Sequence, residues 1–186
     1  MAQTRRKSRR GPREAPEPPD PVAALEIAVR FLGTRPRTRW ELERRLQRAG
    51  ASADVTEVTL ERLAAMGYLD DVAFAAWWTD QRDRHAPRGR RMIEAELRQR
   101  GVSRDVIAAR VETGEVGERA PDDEALPATE EERARIALER HLRGRPIPTQ
   151  PAELRRIGMF LVRRGFDPET VRATIREAGH SEPEGS

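Results

Sequence analysis

Three helix-like segments of this chain close in the same way: a leucine, a glycine four residues later, a short polar cap, and another apolar helix. The first copy runs through Leu46, Gly50, Ser52 and Asp54, the second through Leu97, Gly101, Ser103 and Asp105, the third through Leu161, Gly165, Asp167 and Glu169. The register holds on both sides. Leu42, Ile93 or Ile157 stands four residues before each leucine, and Leu60, Val111 or Ile175 stands ten after each glycine. An internal repeat of this kind constrains the fold, because a short helical unit buries its apolar face only against its own few helices and its neighbours. The expected fold class is all-α, built from tandem three-helix repeats.

Composition agrees with small cores. Of the 186 residues, 37% are hydrophobic, 4% aromatic and 36% charged, which is poor material for one large interior. The formal net charge is only +3, from 35 basic and 32 acidic residues, but Lys7 is the single lysine. Arginine keeps its charge and offers a planar fork that fits phosphate and carboxylate. The absence of cysteine excludes disulfides, thiolate zinc sites and cysteine nucleophiles. His85, His141 and His180 show no metal-ligand spacing, so no metal and no cofactor are expected. Paired arginines near the N-terminus lead into prolines instead of an apolar stretch, and no run approaches the ~20 apolar residues that span a bilayer. A cytoplasmic protein with no membrane contact is the plain expectation.

The punctuation divides the chain. Residues 1–20 carry six basic residues before position 14 and then Pro16, Pro18 and Pro19, a composition expected to stay disordered. That tail reads either as a basic arm toward nucleic acid or as a solvated leader. The first repeat is expected over 21–68. Its first helix starts at Pro21, with Leu25, Ala28, Val29 and Leu32 on one face. Thr38 caps a second helix carrying Leu42, Leu46 and Ala49, and Ser52 caps a third. The second repeat, 69–112, opens at Asp70 or Asp71, carries Phe74, Trp77 and Trp78, breaks at Pro87–Gly89 and resumes with Ile93 and Leu97 inward. Residues 113–129, with Gly114, Gly117, Pro121 and Pro127, read as an acidic flexible linker. The third repeat, 130–180, begins at an acidic cluster, Glu130 to Glu132, where a helix dipole favours negative charge. Residues 181–186 form a second tail. No segment alternates with period two, so no sheet is expected.

These residues resemble the RecX regulatory proteins of bacteria. Ala24 to Leu32 followed by Arg35 to Leu42 is similar to that family's opening, and Leu63 to Asp71 with Phe74 and Ala75 to its most recognisable stretch. Gly89 to Leu97 with Arg100, Gly101 and Val102, and Phe160 to Phe166, resemble its later units. The resemblance covers roughly 21–178. It implies an elongated, curved array of three-helix units that binds the RecA recombinase and its filament on DNA. It further implies that the protein hinders filament growth, ATP hydrolysis and strand exchange, and so modulates DNA repair and recombination.

The candidate partner-binding residues are arginines of the second helices: Arg44 and Arg45; Arg90, Arg91, Arg98 and Arg100; Arg163 and Arg164. If the units stack, they form a recurring basic stripe that steers association with an acidic partner. The plainer reading is a solvated helix face. Asp70 and Asp71 read as caps, since no histidine, cysteine or glycine-rich loop stands near them in sequence to make an acid–base site. One of Trp77 and Trp78 is expected in the core, because a helix cannot turn adjacent residues inward equally, and the other either as a partly exposed interface anchor or packed on the neighbouring unit. Trp40 is expected to staple a helix start. No nucleophile motif or phosphate-cradling loop appears, so a non-enzymatic monomer is expected. The alternative functions are a stand-alone helical DNA-binding protein, with a basic arm and only non-specific DNA contact, or a general scaffold.

Overall fold

The computed structural model describes residues 17–113 and 129–180. Of the expected tail at 1–20, residues 1–16 lie outside the described residues, as do 114–128 of the expected linker at 113–129 and the second tail at 181–186; Asp20, Thr113 and Thr129 belong to helices or their caps. Among the described residues the regular elements are nine helices, and there is no strand. The first unit comprises α1 (Pro21–Leu32), α2 (Arg39–Arg48) and α3 (Ala53–Ala65). The second comprises α4 (Asp71–His85), α5 (Arg90–Gln99) and α6 (Arg104–Thr113), and the third α7 (Glu130–Leu142), α8 (Pro151–Arg163) and α9 (Pro168–His180).

The repeated leucine and glycine explain each other. Leu46, Leu97 and Leu161 are buried, and their backbone carbonyls accept the N–H of Ala51, Val102 and Phe166 at 3.1, 3.2 and 3.3 Å. That bond closes the end of a helix only when the residue between adopts a left-handed backbone. Gly50, Gly101 and Gly165 supply it, with φ of +87°, +79° and +89°. One leucine thus anchors the helix in the core and satisfies its last turn.

Each unit has its own core. Ala24, Ala28, Leu42, Leu46, Leu60 and Leu63 fill the first. Phe74, Ala75, Trp78, Ile93, Leu97, Val102 and Ile107 fill the second, and Ala134, Ala137, Leu138, Ile157, Leu161, Phe166 and Val171 the third. Val29, expected inward, is exposed. Ala24 and Ala28 face the core in its place, and their small side chains let α1 lie close against α3, with Leu25 and Leu32 packed at the flanks. Trp78 is the core tryptophan and Trp77 packs beside it, half-buried. Thr38, Ser52 and Asp70 cap α2, α3 and α4 as expected, Thr38 with Glu41 as a capping box; Asp20 capping α1 and the Thr129–Glu132 capping box of α7 were not foreseen.

Candidate partner-binding surface and its supporting joints

The units meet where a helix that is starting finds one that is ending. The start of α2 lies against the end of α5. The Thr38 hydroxyl, fully buried, accepts the N–H of Glu41 at 3.1 Å and donates to the carbonyl of Arg100 at 2.6 Å. The start of α5 lies in the same way against the end of α8, where the Gly89 N–H donates to the carbonyl of Arg164 at 3.0 Å. Helix starts present unsatisfied N–H groups and helix ends unsatisfied carbonyls, so each meeting answers both and opposes dipole ends of opposite sign. The second helices therefore succeed one another end to end, in the order α8, α5, α2.

An acid completes each joint. Asp71, the first residue of α4, accepts the N–H of Arg39, the first residue of α2, at 3.0 Å. Glu130, the first residue of α7, accepts the N–H of Asp167 at 3.4 Å, and the backbone N–H of Arg90, the first residue of α5, also favours its charged form. Both acids were expected to serve their own helices. In the structure Asp70 caps α4 and Thr129 caps α7, leaving Asp71 and Glu130 to cap a neighbour. Burial pushes both carboxyl pKa values up, and the backbone hydrogen bonds work against that rise.

Close approach fixes the packing. A Cβ on Gly101 would lie 2.3 Å from the Trp40 Cβ, and one on Gly165 would lie 2.5 Å from the Met92 Cβ and backbone nitrogen. Trp40 thus packs on the second unit across the joint, where the sequence suggested a staple within its own helix. Gly50, at the end of α2, has nothing within 4 Å of that position. A third tie joins units two and three: Arg133 Nε donates to Asp83 Oδ1 at 2.8 Å, with the Asp83 side chain 2% exposed.

The candidate arginines divide by environment. Arg44, Arg45, Arg91 and Arg163 are exposed, with Arg44 lying over the Trp40 ring. Arg90 and Arg98 are exposed as well but share Glu94, at 3.4 and 2.6 Å. Arg100 and Arg164 are half-buried at the two joints, and burial pushes both guanidinium pKa values down. Arg100 stacks on Trp78 at 3.8 Å and faces Glu41 at 3.8 Å. Glu96 meanwhile holds the Trp78 indole N–H, Arg82 and Arg88. Arg164 lies over Phe160 and donates to the carbonyl of Pro87 at 3.1 Å. Sequence reading placed all eight residues on one stripe, and it missed the contacts that Thr38, Asp71 and Glu130 make across units and the Asp83–Arg133 pair. A usable signal was present: Arg100 and Arg164 occupy the same repeat position, and unit one carries Ala49 there. Chemically the surface offers guanidinium forks, suited to recognising carboxylate or phosphate. Among the described residues no three histidine, aspartate or glutamate side chains gather to hold a metal ion.

Comparison with known proteins follows the same division. Models of the first, second and third three-helix domains of RecX match residues 24–63, 70–109 and 129–175, in that order. The chain belongs to the RecX family. Regulatory protein RecX of Thermobifida fusca (strain YX) is 38% identical over 159 residues, covering 83% of this chain and 77% of that protein. Regulatory protein RecX of Mycobacterium avium (strain 104) is 34% identical over 156 residues, covering 83% and 84%. The crystal structure of RecX from Lactobacillus salivarius superposes with a TM-score of 0.67 at 17% identity, covering 86% of this chain and 96% of that one. At that identity the likeness concerns the fold. The RecX relatives are named regulatory proteins, and a regulatory role is the function this membership gives the chain. No helix among the described residues is long and apolar enough to cross a membrane.

Proposed function

We propose that the protein is a non-enzymatic, monomeric, cytoplasmic regulator that binds the RecA recombinase and its filament on DNA and restrains filament growth, ATP hydrolysis and strand exchange. The observation that carries this reading is the end-to-end succession of α8, α5 and α2 through two equivalent joints. A partner that is itself a repeated array can be met by a repeated surface, with each unit contributing a weak contact and the tether raising their joint affinity. In this reading Arg44, Arg45, Arg91 and Arg163 touch the partner directly. Arg90 and Arg98 exchange Glu94 for a partner carboxylate or phosphate, and Arg100 and Arg164 hold the units in register. The resulting array is elongated and curved, and it occupies the space that an incoming protomer or second DNA strand needs.

The test is a titration of RecA's DNA-dependent ATPase, with a pull-down beside it. Loss of ATPase at substoichiometric to near-stoichiometric protein supports the reading, and charge reversal at Arg91 and Arg163 is expected to weaken it. Unchanged ATPase and unchanged filament length at saturating protein would refute it.

A further inference from the structure

We infer that the cleft between the second and third units is a binding site for the phosphate backbone of a single-stranded nucleic acid, formed by this chain without the recombinase. The cleft has a volume of about 540 Å³. Its charged and titratable lining is Arg140, Arg143, Arg145, Arg164, His85 and His141, and no carboxylate borders it. Among the described residues none of those four arginines forms an ion pair. Arg164 shows the consequence: beyond burial, the charges that depress its pKa are other cations, Arg88 and Arg140.

Helix ends explain part of this cluster. Arg140 and His141 lie in the last turn of α7, where positive charge offsets the dipole, and Arg145 Nε donates to the carbonyl of Leu142 at 3.0 Å. Arg143 is not explained in that way. It holds a left-handed backbone, φ 52°, although Gly144 stands beside it and an arginine pays strain there that glycine does not. The chain keeps a strained cation at the rim of an uncompensated basic cleft.

The geometry also selects the ligand. Phe160, the aromatic ring of the cleft, stacks with His141 at 4.0 Å between centroids and carries the Arg164 guanidinium at 4.7 Å. Little ring surface is left to anchor an apolar side chain, so an acidic peptide would find charge but no socket. The basic surface runs on beyond the cleft into a neighbouring depression of about 340 Å³, which shares His141 and Arg145 and adds Arg156, with Glu153 as its one acid. A surface that continues past one cleft suits a chain of phosphates better than a single ion. A flexible single strand can lower its phosphates between two units, whereas a rigid duplex meets only the rim.

The experiment measures binding of fluorescent oligothymidylate to the full chain, with no recombinase present, across a salt series. Arg143→Gly and Arg140→Gln are the test variants, the first of which also relieves the backbone. Arg30→Gln/Arg62→Gln, exposed arginines of the first unit that neither the cleft nor the regulatory reading uses, is the control. We expect the Arg140/Arg143 double variant to bind about tenfold more weakly with a shallower salt dependence, each lost phosphate contact removing about 0.7 from the log–log slope. The control should change neither. Equal loss in the control, no measurable binding by the unaltered chain, or stronger competition from duplex, pyrophosphate or polyglutamate than from the single strand would overturn the assignment. Because RecA is absent, failure here is separate from failure of the regulatory reading.

Discussion

The two joints are built to one plan and differ in how their charge is settled. At the joint between units one and two, Arg100 lies on Trp78 and faces Glu41, while Glu96 gathers Trp78, Arg82 and Arg88. At the joint between units two and three, Arg164 lies on Phe160 with cations around it, and the buried pair Asp83–Arg133 sits apart from the cleft. A hydrogen bond from a helix start to an arginine carbonyl (from the Thr38 hydroxyl at one joint, from the Gly89 N–H at the other), a capping acid and a close-packed glycine are common to both. What is common is therefore the construction of the array. The unneutralised charge at one joint is a property of that joint alone, and it is there that an anionic ligand gains most.

The largest expected effect separates the two joint glycines from Gly50. Gly50→Ala meets only the left-handed backbone and is expected to cost about 1–2 kcal/mol. Gly101→Ala and Gly165→Ala add a collision with Trp40 or Met92 and are expected to cost about 3 kcal/mol or more, or to open the joint. Thermal unfolding of the three variants checks this. Equal costs would mean that the joints do not close in solution.

Next comes the buried pair. Asp83→Ala leaves Arg133 without its carboxylate and is expected to cost about 3 kcal/mol, most of which the apolar double replacement Asp83→Leu/Arg133→Met should recover. Chemical denaturation of the single and double variants supplies the comparison, and a single variant as stable as the parent would remove this tie from the joint.

The capping acids give a smaller effect that depends on pH. Asp71 and Glu130 have folded pKa values raised above the unfolded ones, so each tends to take up a proton on folding. Their contribution is most favourable below the ordinary carboxylate range and declines as pH rises through the raised values. Asp71→Asn keeps the acceptor for Arg39 and avoids burying charge, so at neutral pH it should be neutral or slightly stabilising and should flatten that decline. Asp71→Ala loses the acceptor and should cost about 1 kcal/mol. Asp167 runs the other way: its pKa is lowered chiefly by the Thr170 hydroxyl, so its contribution is present at neutral pH and lost on acidification. Stability curves measured from acid to neutral pH distinguish the signs.

The smallest effect is expected on the exposed face. Arg45→Gln and Arg163→Gln should each change stability by less than about 0.5 kcal/mol, since both side chains are solvated. A substantially larger loss would place them in the architecture, beside Arg100 and Arg164.

Much of this plan was legible in the sequence because it is local. The leucine–glycine closure, the Thr38 and Ser52 caps and the apolar stripes are governed by residues within one or two turns, and each helix formed where those signals lie. Val29 shows the limit within a unit: helical spacing allowed it inward, and the close approach of α1 to α3 selected Ala24 and Ala28. The joints were hidden for a different reason. Asp71 looks like one of two adjacent caps until the start of α2, 32 residues away in sequence, arrives beside it. Arg143 looks like one more basic residue after a helix until its backbone conformation and the neighbouring unit are seen. Long-range pairing is not written in spacing, although the repeat register marked Ala49, Arg100 and Arg164 as one position with two chemistries.

The most direct test of the central claim, that joined units act together on a repeated partner, compares RecA ATPase suppression by the intact chain and by Gly101→Ala and Gly165→Ala proteins whose helix content is unchanged. Suppression by the intact chain at up to stoichiometric amounts, with about tenfold or more of each variant needed for the same effect, is the expected result. Equal suppression by chains with opened joints, or none by the intact chain at saturation, would contradict it.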